Sequence, residues 1–139
     1  MTASATPDPA LRERITRAAE GLLYTSESDR PFQFFFLPGG GDAPPGGAAF
    51  AALLGEPEGM RVEERALDDF FARHLETSDP YDHRAQAERP RYEALKEALR
   101  SGLRGTTVYR MGKIEVFCYV VGGDGRGNLA GVRTVAVET

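Results

Sequence analysis

Val108-Tyr-Arg-Met-Gly-Lys-Ile-Glu-Val-Phe-Cys-Tyr-Val-Val-Gly122, followed by Gly123-Asp-Gly-Arg-Gly-Asn-Leu-Ala-Gly-Val-Arg-Thr-Val-Ala-Val-Glu-Thr139, is the stretch that decides the fold. β-Branched and aromatic residues crowd three short runs with glycines between them, which predicts strand, tight turn, strand, longer turn, strand. Gly112-Lys113 supplies the first turn, because glycine accepts the positive φ of hairpin turns. Gly123 to Gly127 supplies the second. In the middle run Ile114, Val116, Cys118 and Val120 alternate with Phe117, Tyr119 and Val121, so both faces are apolar. A sheet wet on one side would show polar alternation instead. The expectation is a sheet covered on both faces. The last strand ends almost at Thr139, which would place an α-carboxylate at its tip.

Upstream of this sheet, Asp8-Pro9 opens a helix over 9–23, with Asp as N-cap and Pro where no amide donor is missed. Leu11, Ile15, Ala18 and Leu22 recur at helical spacing. Thr25 to Pro31 reads as a polar turn rich in oxygen side chains, and Phe32 to Leu37 as a strand apolar on both faces. Pro38 to Gly47 is a Gly/Pro loop. It lacks the Gly-Lys-Ser/Thr ending of a phosphate-binding loop. A short helical turn over 48–54 and an edge strand over 60–64 follow. Next come a helix over 68–75, with Asp68 and Asp69 near its N-terminus, and an acidic loop from Glu76 to His83. The clearest helix, 91–103, carries Ala94, Leu95, Ala98 and Leu99 as its buried stripe and delivers the chain into the sheet. Strands are expected at 32–37, 107–111, 114–121 and 129–137, in an antiparallel sheet covered by helices 9–23 and 91–103. The fold class is thus α/β (α+β), an α/β/α sandwich in one domain over 1–139.

Composition narrows the function. With 139 residues, a net charge of −4 and a pI near 5.2, the chain lacks the basic surface that phosphate binding needs, so no direct nucleic-acid partner is expected. The one cysteine, Cys118, excludes an internal disulfide and reads as a core residue. The N-terminus has neither a basic nor an apolar leader, and no run approaches the roughly 18–20 apolar residues of a membrane span. A cytoplasmic protein without membrane attachment is expected. His74 and His83 fit no zinc spacing, and no Gly-x-Ser-x-Gly elbow is present. Glu27 and Asp29 could pair as catalytic carboxylates, but they sit on an exposed turn. The chemistry points away from an enzyme and from a cofactor of its own.

Gly21-Leu-Leu-Tyr-Thr-Ser-Glu-Ser-Asp-Arg-Pro-Phe32 resembles a stretch of the nuclease A inhibitor family. So do Val108 to Val116, the Phe70-Phe71 helix, and Gly127-Asn-Leu-Ala-Gly131 with the ending Val137-Glu138-Thr139. The blocks fall in the same order over nearly the whole chain. The resemblance implies an α/β/α sandwich that plugs the active site of a sugar-nonspecific DNA/RNA endonuclease as a monomer in a one-to-one complex. It further implies that Glu27 and Thr139 reach the nuclease's Mg2+ or Mn2+. Ser26, Ser28, Asp29, Asp79, Tyr81 and Glu138 are candidates for the surrounding partner-binding rim. One departure stands out: the family's acidic loop carries Asp-Trp-Tyr where this chain has Asp79-Pro80-Tyr81, and large aromatics are frequent hot spots. Two other readings remain open. One is a general protein-interaction module on the same fold. The other is a metal-dependent hydrolase using Glu27 and Asp29.

Overall fold

The computed structural model describes residues 6–76 and 79–138. Helix α1 (Pro9–Ala19) starts where the Asp8 carboxylate accepts the Ala10 N–H at 3.1 Å. It stops at Ala19 instead of running on to 23, because Gly21 takes a φ of 74° and turns the chain. Leu22 and Tyr24 then alternate inward as β1 (Leu23–Thr25), which pairs antiparallel with β2 (Asp29–Pro31). The expected polar turn is accordingly a hairpin with Ser26-Glu27-Ser28 at its tip. Oxygen side chains dominate its composition and mask the period-2 burial of Leu22 and Tyr24, which is what makes it a strand.

Next come β3 (Gln33–Leu37), α2 (Gly47–Leu53), β4 (Val62–Arg65) and α3 (Leu67–Leu75). Then α4 (His83–Gly102) leads into β5 (Arg104–Met111), β6 (Glu115–Gly123) and β7 (Leu129–Val137). Helix α4 begins well before residue 91 and contains Pro90. A proline in a helix interior costs about 3 kcal/mol. Against that, the Asp82 carboxylate caps the Ala85 N–H at 3.0 Å, and Arg84–Glu88 and Arg89–Glu93 pair along the surface. Tyr92, Leu95 and Leu99 are buried, each worth about 1.5–3 kcal/mol, so packing outweighs the proline. Ala94, expected in the buried stripe, is exposed, and Tyr92 takes its place.

The main sheet has the order β3-β7-β6-β5-β4 with every neighbouring pair antiparallel. Its alternation separates two cores. Val108, Val116, Cys118, Val120, Val132 and Ala136 face a cluster built with α1, α3, α4 and the hairpin. Tyr109, Met111, Val121, Leu129 and Phe35 face Phe50 and Ala51 of α2, with Phe50 stacked on Tyr109 at 4.1 Å. The two helices expected to cover the sheet therefore lie on the same face, and among the described residues the other face is covered by the seven-residue α2 alone. Coverage there is incomplete: Phe117 is 47% exposed. Ile114 drops out of the strand altogether and is 63% exposed in the β5–β6 turn. Gly112 makes that turn at a φ of 115°, where a Cβ would fall 2.1 Å from the Glu115 carbonyl oxygen. Among the described residues no helix is long and apolar enough to cross a membrane.

Candidate functional site

Register places the site. Because Gln33 pairs with Arg133 and Leu37 with Leu129, the C-terminal end of β7 lies beside the start of β3. The hairpin that precedes β3 is fastened there. Thr134 donates its hydroxyl to the Pro31 carbonyl at 2.9 Å, tying β2 to β7. Further along, the Ser26 hydroxyl accepts the Val137 N–H at 2.9 Å, and the Glu27 N–H donates to the Val137 carbonyl at 3.2 Å. The tip is closed internally as well, since Ser26 donates both its N–H (2.9 Å) and its hydroxyl (3.1 Å) to the Ser28 carbonyl. Glu27 thus sits exposed on a braced turn, hydrogen-bonded to Val137, the last residue of β7. Thr139, expected opposite it, lies outside the described residues.

The hairpin is also gripped from its other side. In a two-stranded ladder, alternate residues point their backbone groups outward, away from the partner strand. On β1 these are Leu23 and Thr25, and α3 and α4 fill both. The Tyr92 hydroxyl donates to the Leu23 carbonyl. The Thr25 N–H donates to His74 Nε2 at 3.3 Å, and Arg73 donates to the Thr25 carbonyl. Rings lock the arrangement: His74 stacks on Tyr92 at 4.0 Å, and Tyr24 stacks on Phe70 at 4.5 Å, with the Arg73 guanidinium 5.1 Å from the Tyr24 ring centroid.

Electrostatics suit the geometry. Burial, followed by the Arg73 charge, pushes the His74 imidazole down to about 4, with Glu88 and Asp29 opposing. His74 is therefore neutral near pH 7 and can accept the Thr25 N–H. Burial raises the Tyr92 phenol, keeping it a donor. Burial likewise raises the Cys118 thiol, so this cysteine is inert core.

Between the hairpin and the C-terminal end of α3 lies a cleft of about 790 Å³. Ser26, Asp29 and Asp79 line it together with Arg73, His74 and Asp82. Asp79 is held by the Tyr81 N–H at 2.9 Å, and Tyr81 is 83% exposed. Ser28 stays at the hairpin tip, where its hydroxyl accepts from Arg30 at 3.3 Å. Glu138 follows directly on β7: its N–H donates to the Ile114 carbonyl at 2.9 Å, and its carboxylate, 41% exposed, pairs with Arg110. Arg73 and Tyr92 join the site unmarked by the sequence, and His74, which the sequence raises only as a zinc-ligand candidate, joins it as a hydrogen-bond acceptor. No local pattern distinguishes them from the other polar residues of α3 and α4.

The described residues thus form a small α+β domain that presents the Glu27 carboxylate on a braced turn. The chain belongs to the nuclease A inhibitor-like protein family, whose model matches residues 9–139. No curated protein matches the chain significantly. The family-like blocks divide by role. Gly21 to Phe32 forms the hairpin, whereas Gly127 to Gly131 is scaffold. Asn128, fully buried, accepts the Gly39 N–H at 3.0 Å and donates to Asp124 at 3.0 Å.

Proposed function

We propose that this chain inhibits a sugar-nonspecific endonuclease by occupying its active site, as a monomer in a one-to-one complex and without catalysis of its own. Glu27 and Thr139 offer oxygen ligands to the Mg2+ or Mn2+ of the nuclease, and Ser26, Ser28, Asp29, Asp79, Tyr81 and Glu138 flank them. The observation that carries the reading is the bond between the Glu27 N–H and the Val137 carbonyl, which brings the Ser26-Glu27-Ser28 tip to the strand that leads to Thr139.

Physical chemistry favours this arrangement. A nuclease site is shaped to attract phosphate, so an acidic occupant, here of net charge −4, is steered toward it. Magnesium prefers hard oxygen ligands. A carboxylate on a rigid turn replaces phosphate oxygen while offering no bond to cut. An interface of ordinary size, on the order of 1,600 Å², is sufficient.

The test is titration of the purified chain into metal-dependent nonspecific nucleases acting on DNA and on RNA. Stoichiometric loss of both activities is expected. Hydrolysis of nucleic acid by the chain alone, with Mg2+ or Mn2+ and no nuclease present, would sink the proposal in favour of a hydrolase. Inhibition that is indifferent to Glu27→Gln would point to a general interaction module.

A further inference from the structure

We propose that Arg73 and His74 are positioning residues for the Glu27 turn: together they hold the N–H and the carbonyl of Thr25, and so set where the carboxylate two residues later is presented. The first half is a statement about the free protein. The second rests on the reading of Glu27 given above.

Two strands of three residues each are not stable alone in water. The outer edge of β1 must find partners, and it finds side chains where a longer sheet would provide another strand. Adjacent residues of α3 supply complementary chemistry. Arg73 can only donate, and it takes the carbonyl. His74, neutral, can accept, and it takes the N–H. A second cation at position 74 would fail twice, losing the acceptor and facing Arg73. The groups around the imidazole are Arg73 on α3, Glu88 and Tyr92 on α4, and Asp29 and Tyr24 on the hairpin. Burial and Arg73 outweigh the two carboxylates and keep the ring neutral. On the hairpin's other flank the tip is tied to Val137. Glu27 is thus held between α3 and the end of β7, and slackening either side enlarges the volume its carboxylate samples.

His74→Phe and His74→Gln separate positioning from packing. Phe keeps a ring against Tyr92 without an acceptor, whereas Gln keeps an acceptor without the ring. In the free protein, amide exchange at Ser26, Glu27 and Ser28 is expected to speed up about tenfold in His74→Phe and to stay near the native rate in His74→Gln. Against a nuclease that the native chain inhibits, at pH 7.5, His74→Phe should raise Kd about tenfold, equivalent to about 1.4 kcal/mol. His74→Gln should recover most of that loss. Arg73→Met should behave like His74→Phe, with Arg73→Lys restoring binding. Unchanged exchange in His74→Phe would overturn the clamp, and equal losses in Phe and Gln would reduce His74 to a packing residue. Glu27→Gln serves as the separate control. If it binds as tightly as the native chain, the assignment of Glu27 fails, while the exchange result still decides whether the clamp exists.

Discussion

Glu27 and Val137 share a main-chain hydrogen bond of 3.2 Å, although one opens the chain's first hairpin tip and the other closes its last strand. Val137 returns its own N–H to the Ser26 hydroxyl at 2.9 Å, across 111 residues of sequence. The pair of bonds is a seam between the hairpin and the sheet, at the edge where the proposed plug is formed.

Ser26→Ala opens that seam. The hydroxyl accepts from Val137 and donates to the Ser28 carbonyl, so its loss leaves a half-buried N–H without its acceptor. A net cost of about 1–2 kcal/mol is expected, or a drop in Tm of roughly 3–8 °C. Thermal unfolding measures the cost. Amide exchange at Val137 should accelerate at the same time; protection as strong as in the native chain would mean that the seam does not hold the turn.

Asn128→Ala should cost more while touching the nuclease less. Its side chain is fully buried and bridges the β6–β7 turn to the Gly39 loop, accepting from Gly39 and donating to Asp124. Removing it strands a backbone donor, for a loss of about 2–3 kcal/mol. Urea unfolding should show this loss. At temperatures where the variant remains folded, its inhibition constant should match the native one. Three residues on, Gly131 is equally intolerant, since a Cβ there would come within 1.8 Å of the Val120 carbonyl oxygen.

Much of this architecture is legible in the sequence because period-2 apolar runs and glycine punctuation are local signals. The strands around Val116, Val121 and Val132 follow from them directly, as does the two-faced core. What is not legible depends on contacts distant in sequence. Pro90 argues against a helix until Tyr92 and Leu95 are seen to be buried beneath it. The oxygen-rich run that begins at Thr25 hides a hairpin because the partners of β1's outer edge, Arg73, His74 and Tyr92, lie about fifty or more residues downstream. Ile114 shows the converse failure: an apolar residue at the right parity is left outside when the turn takes three residues instead of two. Similarly, the pairing of Glu138 with Arg110 joins residues 28 apart in sequence, and no local pattern announces it.

His74 gives stability a pH dependence of definite sign. Its folded pKa, pushed down to about 4, lies below the ordinary value near 6.5, so the fold prefers the neutral ring. The contribution is complete above about pH 6.5 and is lost progressively as pH falls from there to about 4. One proton can steepen the stability curve by at most about 1.4 kcal/mol per pH unit, and solvent screening of a half-buried ring lowers that. Urea unfolding of the native chain and of His74→Gln at several pH values isolates the effect, because the carboxylates titrate alike in both. The native chain should lose ground to the variant as pH drops through this window. Parallel curves would show that the ring is already free to take up a proton in the fold.

Glu27→Gln preserves shape and removes charge, so the free protein should unfold at an unchanged temperature while the complex weakens. Truncating one partner of a desolvated charged contact costs about 2–5 kcal/mol, which is roughly thirty-fold to several-thousand-fold in affinity. Thr139→Val tests the second proposed ligand by deleting only its hydroxyl. If both groups address one metal ion, their effects are coupled: the double variant should lose less than the sum of the singles, since the first loss already loosens the shared contact. The ion itself provides the sharper control. With Mg2+ removed by chelation, the native chain and Glu27→Gln should converge to within about threefold, because the carboxylate then has no cation to meet. A gap between them that survives chelation would assign Glu27 to a basic side chain of the nuclease and not to its metal, and strictly additive losses at Glu27 and Thr139 would argue that the two never share a ligand.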